Sequence, residues 1–484
     1  MDVNCLVKKI LNTVAHGDRK YALTLLYGLI NDCRLTGKSK LSVARIAIML
    51  GEFSIGKYLA SSYISSEETF KDKIIEALSL LAECGDYTSA LKYIQTKKCI
   101  ENQTTKILHF TGAILQQLGQ YKIAEKYLVK ALDACDSLNG PTWLTLSAQI
   151  DFSNNELFFE KIINSENKIK KLNNEHQASY FYALGKALLD RNQFDSAFNK
   201  FNVASKLSNK LVPIKKQNEA EYIDKLILNY ADNTFLPDFQ EVSVPKNPIF
   251  IIGLPRSGTT LLEQILVTHN EINTGGEFGG IRIATLHLGK ASDISSQRIK
   301  QLNSTNTKLR TITQIYTHVT KERFNSYCGI VDKSINNIYY LGIIAAAFPK
   351  SPIIMIKRNP ADVAWSCFRT CFNQGMAWSN SLHDIAEHFN NINRLTTHWL
   401  NLIGNRVLEV SYENLIVDPL KEISAILMAC GLEMDNNVLR FYENNRVITT
   451  SSTVQVRKPL YTSSIASHES VAHRMHDFFN VYKG

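Results

Sequence analysis

The run Gly253-Leu254-Pro255-Arg256-Ser257-Gly258-Thr259-Thr260 follows the apolar stretch Pro248-Ile249-Phe250-Ile251-Ile252 and precedes Leu261-Leu262-Glu263-Gln264-Ile265-Leu266. A strand that turns through a glycine loop into a helix aims backbone N–H groups and the helix N-terminus at one anion, so the segment predicts a phosphate cradle. Its cation stands in an unusual place. In the pattern G-x-x-x-x-G-K-[ST] a lysine follows the second glycine and reaches the β- and γ-phosphates. Here Thr259 takes that position and Arg256 comes two residues before Gly258. A donor with one phosphate at its ribose 5′ position suits this loop better than a triphosphate.

Further residues of chemical interest follow in order. Thr274-Gly275-Gly276-Glu277-Phe278 places a glycine-flanked carboxylate about twenty residues after the loop. A carboxylate within hydrogen-bond reach of a hydroxyl can take its proton as the oxygen attacks. Gly329-Ile330-Val331-Asp332-Lys333-Ser334 carries Lys333 at the end of an apolar run. A fixed cation there can stabilise charge that accumulates on a leaving oxygen. Ile353-Ile354-Met355-Ile356-Lys357-Arg358 is followed, eight residues after Arg358, by Ser366, and an arginine fork grips phosphate bidentately. The C-terminal quarter adds Val410-Ser411-Tyr412-Glu413 and the stretch from Thr450 to Tyr461.

Arg256-Ser257-Gly258-Thr259-Thr260 resembles the [RK]-S-G-T-T 5′-phosphosulfate loop of the sulfotransferases, and looks most like the protein-tyrosine sulfotransferase branch and its bacterial relatives. The resemblance implies 3′-phosphoadenosine-5′-phosphosulfate (PAPS) as donor, with no metal. Residues 256–260 would hold its 5′ end, and Arg358 and Ser366 its 3′-phosphate. Tyr412, Arg457 and Lys458 would be further cofactor contacts. Glu277 would be the general base, and Lys333 would face the sulfuryl group and bridging oxygen; apart from the resemblance, His269 is an early candidate for the base should Glu277 prove structural. Ser452 would lie near the sulfuryl group when Gln455-Val456 is aligned. Three positions depart from the family pattern. Ile335 replaces a frequent proline, Asn359 replaces the usual aspartate, and Ser467-His468 stands where relatives carry a basic residue and tryptophan.

Apolar strand candidates at 248–253, 329–333, 353–357 and 406–411 alternate with helical stretches, which predicts an α/β unit with a parallel sheet. The first half reads differently. Gly17, Gly51, Gly85 and Gly119 recur every 34 residues, the last three opening Gly51-Glu52-Phe53, Gly85-Asp86-Tyr87 and Gly119-Gln120-Tyr121. Small residues follow at Ala22, Gly56, Ala90 and Ala124, then larger ones at Leu59, Tyr93 and Tyr127. This pattern resembles the tetratricopeptide repeat, a helix–turn–helix unit whose apolar face only its neighbour covers. Asn192-Gln193-Phe194 reads as a further turn after an irregular unit near 140–170. The expected organisation is an all-α tetratricopeptide solenoid over 1–210, a proline-marked helical junction over 211–246, and an α/β P-loop sulfotransferase domain over 247–484.

The formal charge of +9 is spread along the chain without a dense basic tract, which argues for an anionic ligand and against nucleic acid. Nine cysteines form no C-x-x-C pair or Cys/His cluster and are expected to be reduced thiols. With no cationic and apolar leader and no run of 18 apolar residues, a cytoplasmic protein without a membrane span is expected. The expected activity is PAPS-dependent transfer of a sulfuryl group to an acceptor hydroxyl. Tyrosine in a peptide held by the repeats leads among acceptors; carbohydrate, lipid and small-molecule hydroxyls stay open, as does a homodimer. Two alternatives stay open as well: a P-loop kinase, disfavoured by Thr259, and a repeat scaffold with an inactive sulfotransferase-like domain, kept alive by Asn359, Ser467 and His468.

Overall fold

The computed structural model describes residues 3–32, 35–66, 73–95, 104–213, 217–234, 236, 247–304, 308–326, 329–372, 375–444 and 446–484. The junction prolines Pro237 and Pro245 lie outside the described residues.

Among the described residues the first half is entirely helical and built of hairpins: Val3–Ala15 with Arg19–Asp32, Lys38–Met49 with Phe53–Ser65, Ile74–Glu83 with Tyr87–Ile94, and Thr105–Gln117 with Tyr121–Asp133. The period-34 glycines make the turns, with φ of +80°, +86°, +82° and +75° at Gly17, Gly51, Gly85 and Gly119. After the last three, the N–H of Glu52, Asp86 and Gln120 reaches the carbonyl five residues back at 2.8, 2.9 and 2.8 Å. That bond closes a helix through a left-handed residue, which glycine adopts without a steric penalty. Asn192 does the same at φ +58°, and asparagine is among the side chains that tolerate this region. The small residues pack where hairpin helices cross. A methyl on Gly56 would lie 2.6 Å from Ile48 Cγ1, and Ala22, Ala90 and Ala124 are fully buried. Helices Gly140–Ser147, Glu156–Asn164 and Glu166–Ile169 form the irregular unit, and the long hairpin Asn174–Asp190 with Phe194–Leu211 ends the array.

The second half is built on five strands, β1 (Ile249–Ile252), β2 (Thr274–Gly276), β3 (Ile330–Asp332), β4 (Ile353–Lys357) and β5 (Val407–Ser411). They pair in the order β2-β3-β1-β4-β5, every neighbouring pair parallel. Four of them fall on the apolar runs expected from sequence. The fifth, β2, is the stretch read there only as a glycine-flanked carboxylate; two glycines in three residues hide a strand from any propensity argument. Alternation along the strands separates two cores. Phe250, Ile252, Ile353 and Met355 face helices Leu341–Ala347 and Leu382–Ile403, together with Ile223 and Leu226 of the junction helix Gln217–Asn229. Ile249, Ile251, Ile354 and Ile356 face Thr259–Leu266 and Pro419–Ala429.

Hydrophobic clusters run through both halves: Ile283 and Val319 join the core of the first hairpins, and a second cluster centres on Trp365. It joins Leu128, Trp143, Tyr182 and Phe201 of the array to Trp365, Phe368, Phe389 and Phe478, with Phe198 stacked on Trp365 at a centroid distance of 5.9 Å. The turn glycines dock on the sheet half as a row. A Cβ built on Gly17, Gly51, Gly85 or Gly119 would meet His287 O at 3.3 Å, Val319 Cγ2 at 2.7 Å, Arg323 Nη1 at 1.7 Å or Arg457 Cζ at 2.8 Å. The 34-residue period therefore records a contact with the second half as well as a turn. No helix among the described residues is long and apolar enough to cross a membrane.

Candidate active site

Because the strands are parallel, their C-terminal ends share one edge, and the sheet order becomes the order of side chains along it. Glu277 follows β2, Lys333 follows β3, the loop 253–258 follows β1, Arg358 follows β4 and Tyr412 follows β5. Strand neighbours lie ~4.8 Å apart, so the row is about 19 Å long. Ligands of open α/β sheets bind at this edge, where connections leave in opposite directions.

The loop is shaped by its glycines. Gly258 has φ +108° and caps helix Thr259–Leu266, and a Cβ there would lie 2.5 Å from Tyr412 Cδ2. Arg256 also has positive φ, +69°. Ser257 Oγ is buried without a hydrogen-bond partner, a group placed to meet an anion. Thr260 Oγ1 lies 3.2 Å from Thr450 Oγ1.

Arg256 gathers three side chains from two distant segments. Its Nε donates to Ser366 Oγ at 3.0 Å, Nη1 to Ser452 Oγ, and Nη2 to Gln455 Oε1 at 2.7 Å. Arg358 Nη1 donates to Arg256 O at 3.1 Å and Nη2 to Ser464 O, while its guanidinium stacks 4.4 Å above the Tyr412 ring. Arg358 Nε is buried without a partner. A third arginine, absent from the sequence expectations, completes the group. Arg369 is pushed down to about 10, first by burial and then by the charges of Arg256 and Arg358. Its signal in the sequence was its place three residues after Ser366, on the same helical face. Three mutually repelling guanidinium groups, with Arg358 Nε buried and unpartnered, suit an anionic ligand carrying phosphate oxygens. Lys458 lines the same space, which Arg256 and the segment 452–461 close to about 60 Å³.

Arg457 stands apart from the other residues expected to bind cofactor. Its guanidinium donates to the carbonyls of Asn444 at 3.2 Å, Arg446 at 2.7 Å and, in the array, Gln117 at 3.2 Å. It ties the array to the stretch of the sheet half just after the helical turn Asn436–Glu443.

The three departures from the family pattern have visible roles or none. Asn359 Oδ1 accepts from Ala361 N at 3.0 Å and Asp362 N at 3.2 Å, capping helix Pro360–Phe368. Fully buried Asp362 accepts from Ala466 N, Ser467 Oγ, and both His468 N and Nδ1, at 2.8, 3.2, 2.9 and 2.8 Å. Burial opposes its ionisation, but the His468 hydrogen bonds and the Arg358 charge hold this carboxyl below the usual range. Ser467 and His468 thus anchor the C-terminal segment beside Arg358. Ile335 simply begins the turn after β3, and nothing in the structure explains that substitution.

At the other end of the row, Lys333 Nζ donates to Glu277 Oε1. The Lys333 side chain is 1% exposed and the Glu277 side chain 34%. Glu263, from the helix after the glycine loop 253–258, lies 3.6 Å from Lys333 Nζ and is paired with Arg446 at 2.6 Å. Neither Glu263 nor Arg446 was expected from sequence, though a carboxylate inside the apolar run 261–266 was a signal. Asp332 turns away: burial pushes its carboxyl up, and it accepts from Ser334 N, Asn337 and Tyr316. His269 is also remote from the row, its Nε2 lying 2.9 Å from Glu433 O. Glu277 borders three cavities, of about 660, 250 and 560 Å³. The 560 Å³ cavity is walled on one side by Arg45, Phe53 and Tyr87 of the array.

Residues 248–436 match the model of the Sulfotransferase family. An uncharacterized protein of Aquifex aeolicus (strain VF5) is 30% identical over 303 residues, 60% of this chain and 39% of that protein. Protein-tyrosine sulfotransferase 2 of Gallus gallus is 24% identical over 217 residues, 40% of this chain and 54% of that protein. The chain thus spans less than two thirds of either relative. Among solved structures, the sulfotransferase domain of the Synechococcus PCC 7002 olefin synthase is matched at 19% identity and a TM-score of 0.35, over 51% of this chain and 100% of that one. Residues 248–436, which include the loop 253–258, Glu277, Lys333, Arg358 and Tyr412, are thus a sulfotransferase-family domain.

Proposed function

We propose that the protein transfers a sulfuryl group from PAPS to an acceptor hydroxyl. The observation that carries this reading is the order of side chains along the sheet edge: carboxylate, lysine, phosphate loop, arginine cluster, tyrosine. A donor laid along that row has its adenosine by Tyr412, its 3′-phosphate by Arg358, Ser366 and Lys458, and its 5′-phosphosulfate on residues 256–260. When bound, it supplies an activated sulfuryl group. Lys333 is then placed to stabilise charge on the bridging oxygen, Glu277 to take the acceptor's proton, and Ser452 to orient the group through its link to Arg256.

The relative named as a protein-tyrosine sulfotransferase supports a peptide tyrosine as acceptor. The cavity between Glu277 and the array supports an acceptor held in part by the helical hairpins, which we read as tetratricopeptide-type repeats. We place the helical repeats at 1–210, the junction at 211–246 and the transferase unit at 247–484.

Thermal melting with nucleotides tests the donor assignment. 3′,5′-Adenosine bisphosphate should stabilise the protein, by ~2.7 kcal/mol at a hundredfold excess over Kd, while ATP at equal concentration does little. Equal stabilisation by ATP would instead support a kinase.

A further inference from the structure

Four charged side chains alternate in sign through the buried end of the row: Arg446, Glu263, Lys333 and Glu277. Glu263 and Lys333 are 2% and 1% exposed as side chains and Arg446 is 18% exposed. Arg446 is itself fixed, with Nε donating to Gln264 Oε1 at 2.7 Å and Nη1 lying 3.4 Å from Gly275 O. The chain makes room for the acid, since a Cβ on Gly275 would lie 3.2 Å from Glu263 Oε1.

At rest Glu277 is occupied by Lys333 through Oε1, and a carboxylate held by an ammonium is a weaker base than one released from it. If Glu277 were the lysine's single anion, that departure would strand a buried ammonium, which is strongly unfavourable. We propose that Glu263, held by Arg446, is a positioning residue for sulfuryl transfer: it keeps Lys333 paired while Glu277 turns to the acceptor. This rests on the transferase reading above. As the acceptor oxygen bonds to sulfur, the bond from sulfur to the bridging oxygen breaks and its electron pair stays on that oxygen. The hydroxyl proton passes to Glu277, which becomes neutral. Lys333 then faces the new negative charge with Glu263 still behind it. Glu263 is poorly placed to be the base, because both its oxygens face fixed cations.

Wild-type protein assayed with PAPS and 4-nitrophenol, and titrated with 3′,5′-adenosine bisphosphate, tests the transferase reading by itself; absence of both turnover and binding sinks that reading. The positioning role is tested by Glu263→Gln. We expect kcat to fall roughly 10- to 100-fold, with bisphosphate affinity within about twofold. Both limbs of the kcat–pH profile should move to lower pH by about half a unit or more, since Glu277 and Lys333 each lose a neighbouring negative charge. Glu263→Asp, which keeps the charge, should keep the limbs in place. Because Glu263→Gln leaves Arg446 without its anion, the double variant Glu263→Gln/Arg446→Gln serves as a second test; its limbs should move in the same direction but less far, since loss of the Arg446 cation offsets part of the lost negative charge. A kcat loss with unmoved limbs in both variants would make Glu263 a structural residue and overturn the proposal. Acetylation of Lys333 by acetic anhydride, followed by mass spectrometry, reads the same coupling without any acceptor. Lys333 should become reactive at lower pH in Glu263→Gln, and an unchanged reactivity profile would overturn the proposal whatever the turnover.

Discussion

Gly85 of the helical half lies directly beneath Arg323 of the sheet half, so close that a Cβ on the glycine would fall 1.7 Å from Arg323 Nη1. Arg323 is half-buried there beside Tyr87, and desolvation, opposed chiefly by Tyr87, lowers its proton affinity. Gly85→Ala should therefore cost more than a left-handed alanine alone, about 1–3 kcal/mol for the backbone strain plus the displacement of Arg323. Gly431→Ala, at a helix end with φ +67° and nothing within 4 Å of the new Cβ, is the control that carries the backbone cost without a collision. Denaturant unfolding of the two variants measures the difference; equal losses would mean that Arg323 moves aside freely.

A fragment beginning at residue 247 tests how far the halves depend on each other. Cutting there removes the array's side of the cluster that covers Trp365, Phe368 and Phe389, and Ile223 and Leu226 from the sheet core. Exposed apolar surface of that kind drives aggregation. The expected outcome is an insoluble or non-cooperatively melting fragment. A soluble, sharply melting one would show that the array's contact is dispensable for folding.

Chemistry and donor binding should separate by mutation. Glu277→Gln removes the base while keeping its shape, so turnover should fall roughly 10²–10⁴-fold with bisphosphate binding nearly unchanged. Arg358→Ala should chiefly weaken bisphosphate binding, read by calorimetry. Full activity in Glu277→Gln would make that residue structural.

Arg457 and Lys458 are sequence neighbours with opposite expected phenotypes. Arg457→Ala removes the bonds to Gln117, Asn444 and Arg446 and should lower Tm with little effect on donor affinity. Lys458→Ala should weaken donor binding with little effect on Tm. Reversed phenotypes would return Arg457 to the donor site.

The contact between His318 and Glu52, 3.1 Å apart, makes the docking of the two halves pH-dependent. The hydrogen bond to Glu52 raises the His318 pKa, with burial opposing and the Glu52 charge assisting. A raised histidine contributes stability that is complete below its unfolded value of about 6.5 and is lost as pH rises through the folded value. Wild-type Tm should fall more steeply than that of His318→Gln between about pH 6 and 8. Parallel curves would remove His318 from the docking energetics.

Local chemistry was legible in the sequence. A strand, a glycine loop and a helix announced an anion site because φ, helix capping and backbone N–H groups are properties of neighbouring residues. The same holds for the hairpin glycines, whose left-handed turns are local. The order of Glu277, Lys333, Arg358 and Tyr412 along the chain was also plain, although their order in space was not. Only the sheet topology β2-β3-β1-β4-β5 sets Lys333 between Glu277 and the loop, and a strand as short as β2 earns its place by pairing with β3 rather than by propensity. Partners of long charged side chains were likewise beyond sequence. Arg256 meets Ser366 and Gln455 across 110 and 199 residues, and Arg457 meets Gln117 across 340. A guanidinium bonds to whichever carbonyl or hydroxyl the chain crossing brings within 3 Å or so, and that crossing is decided by packing of the whole core.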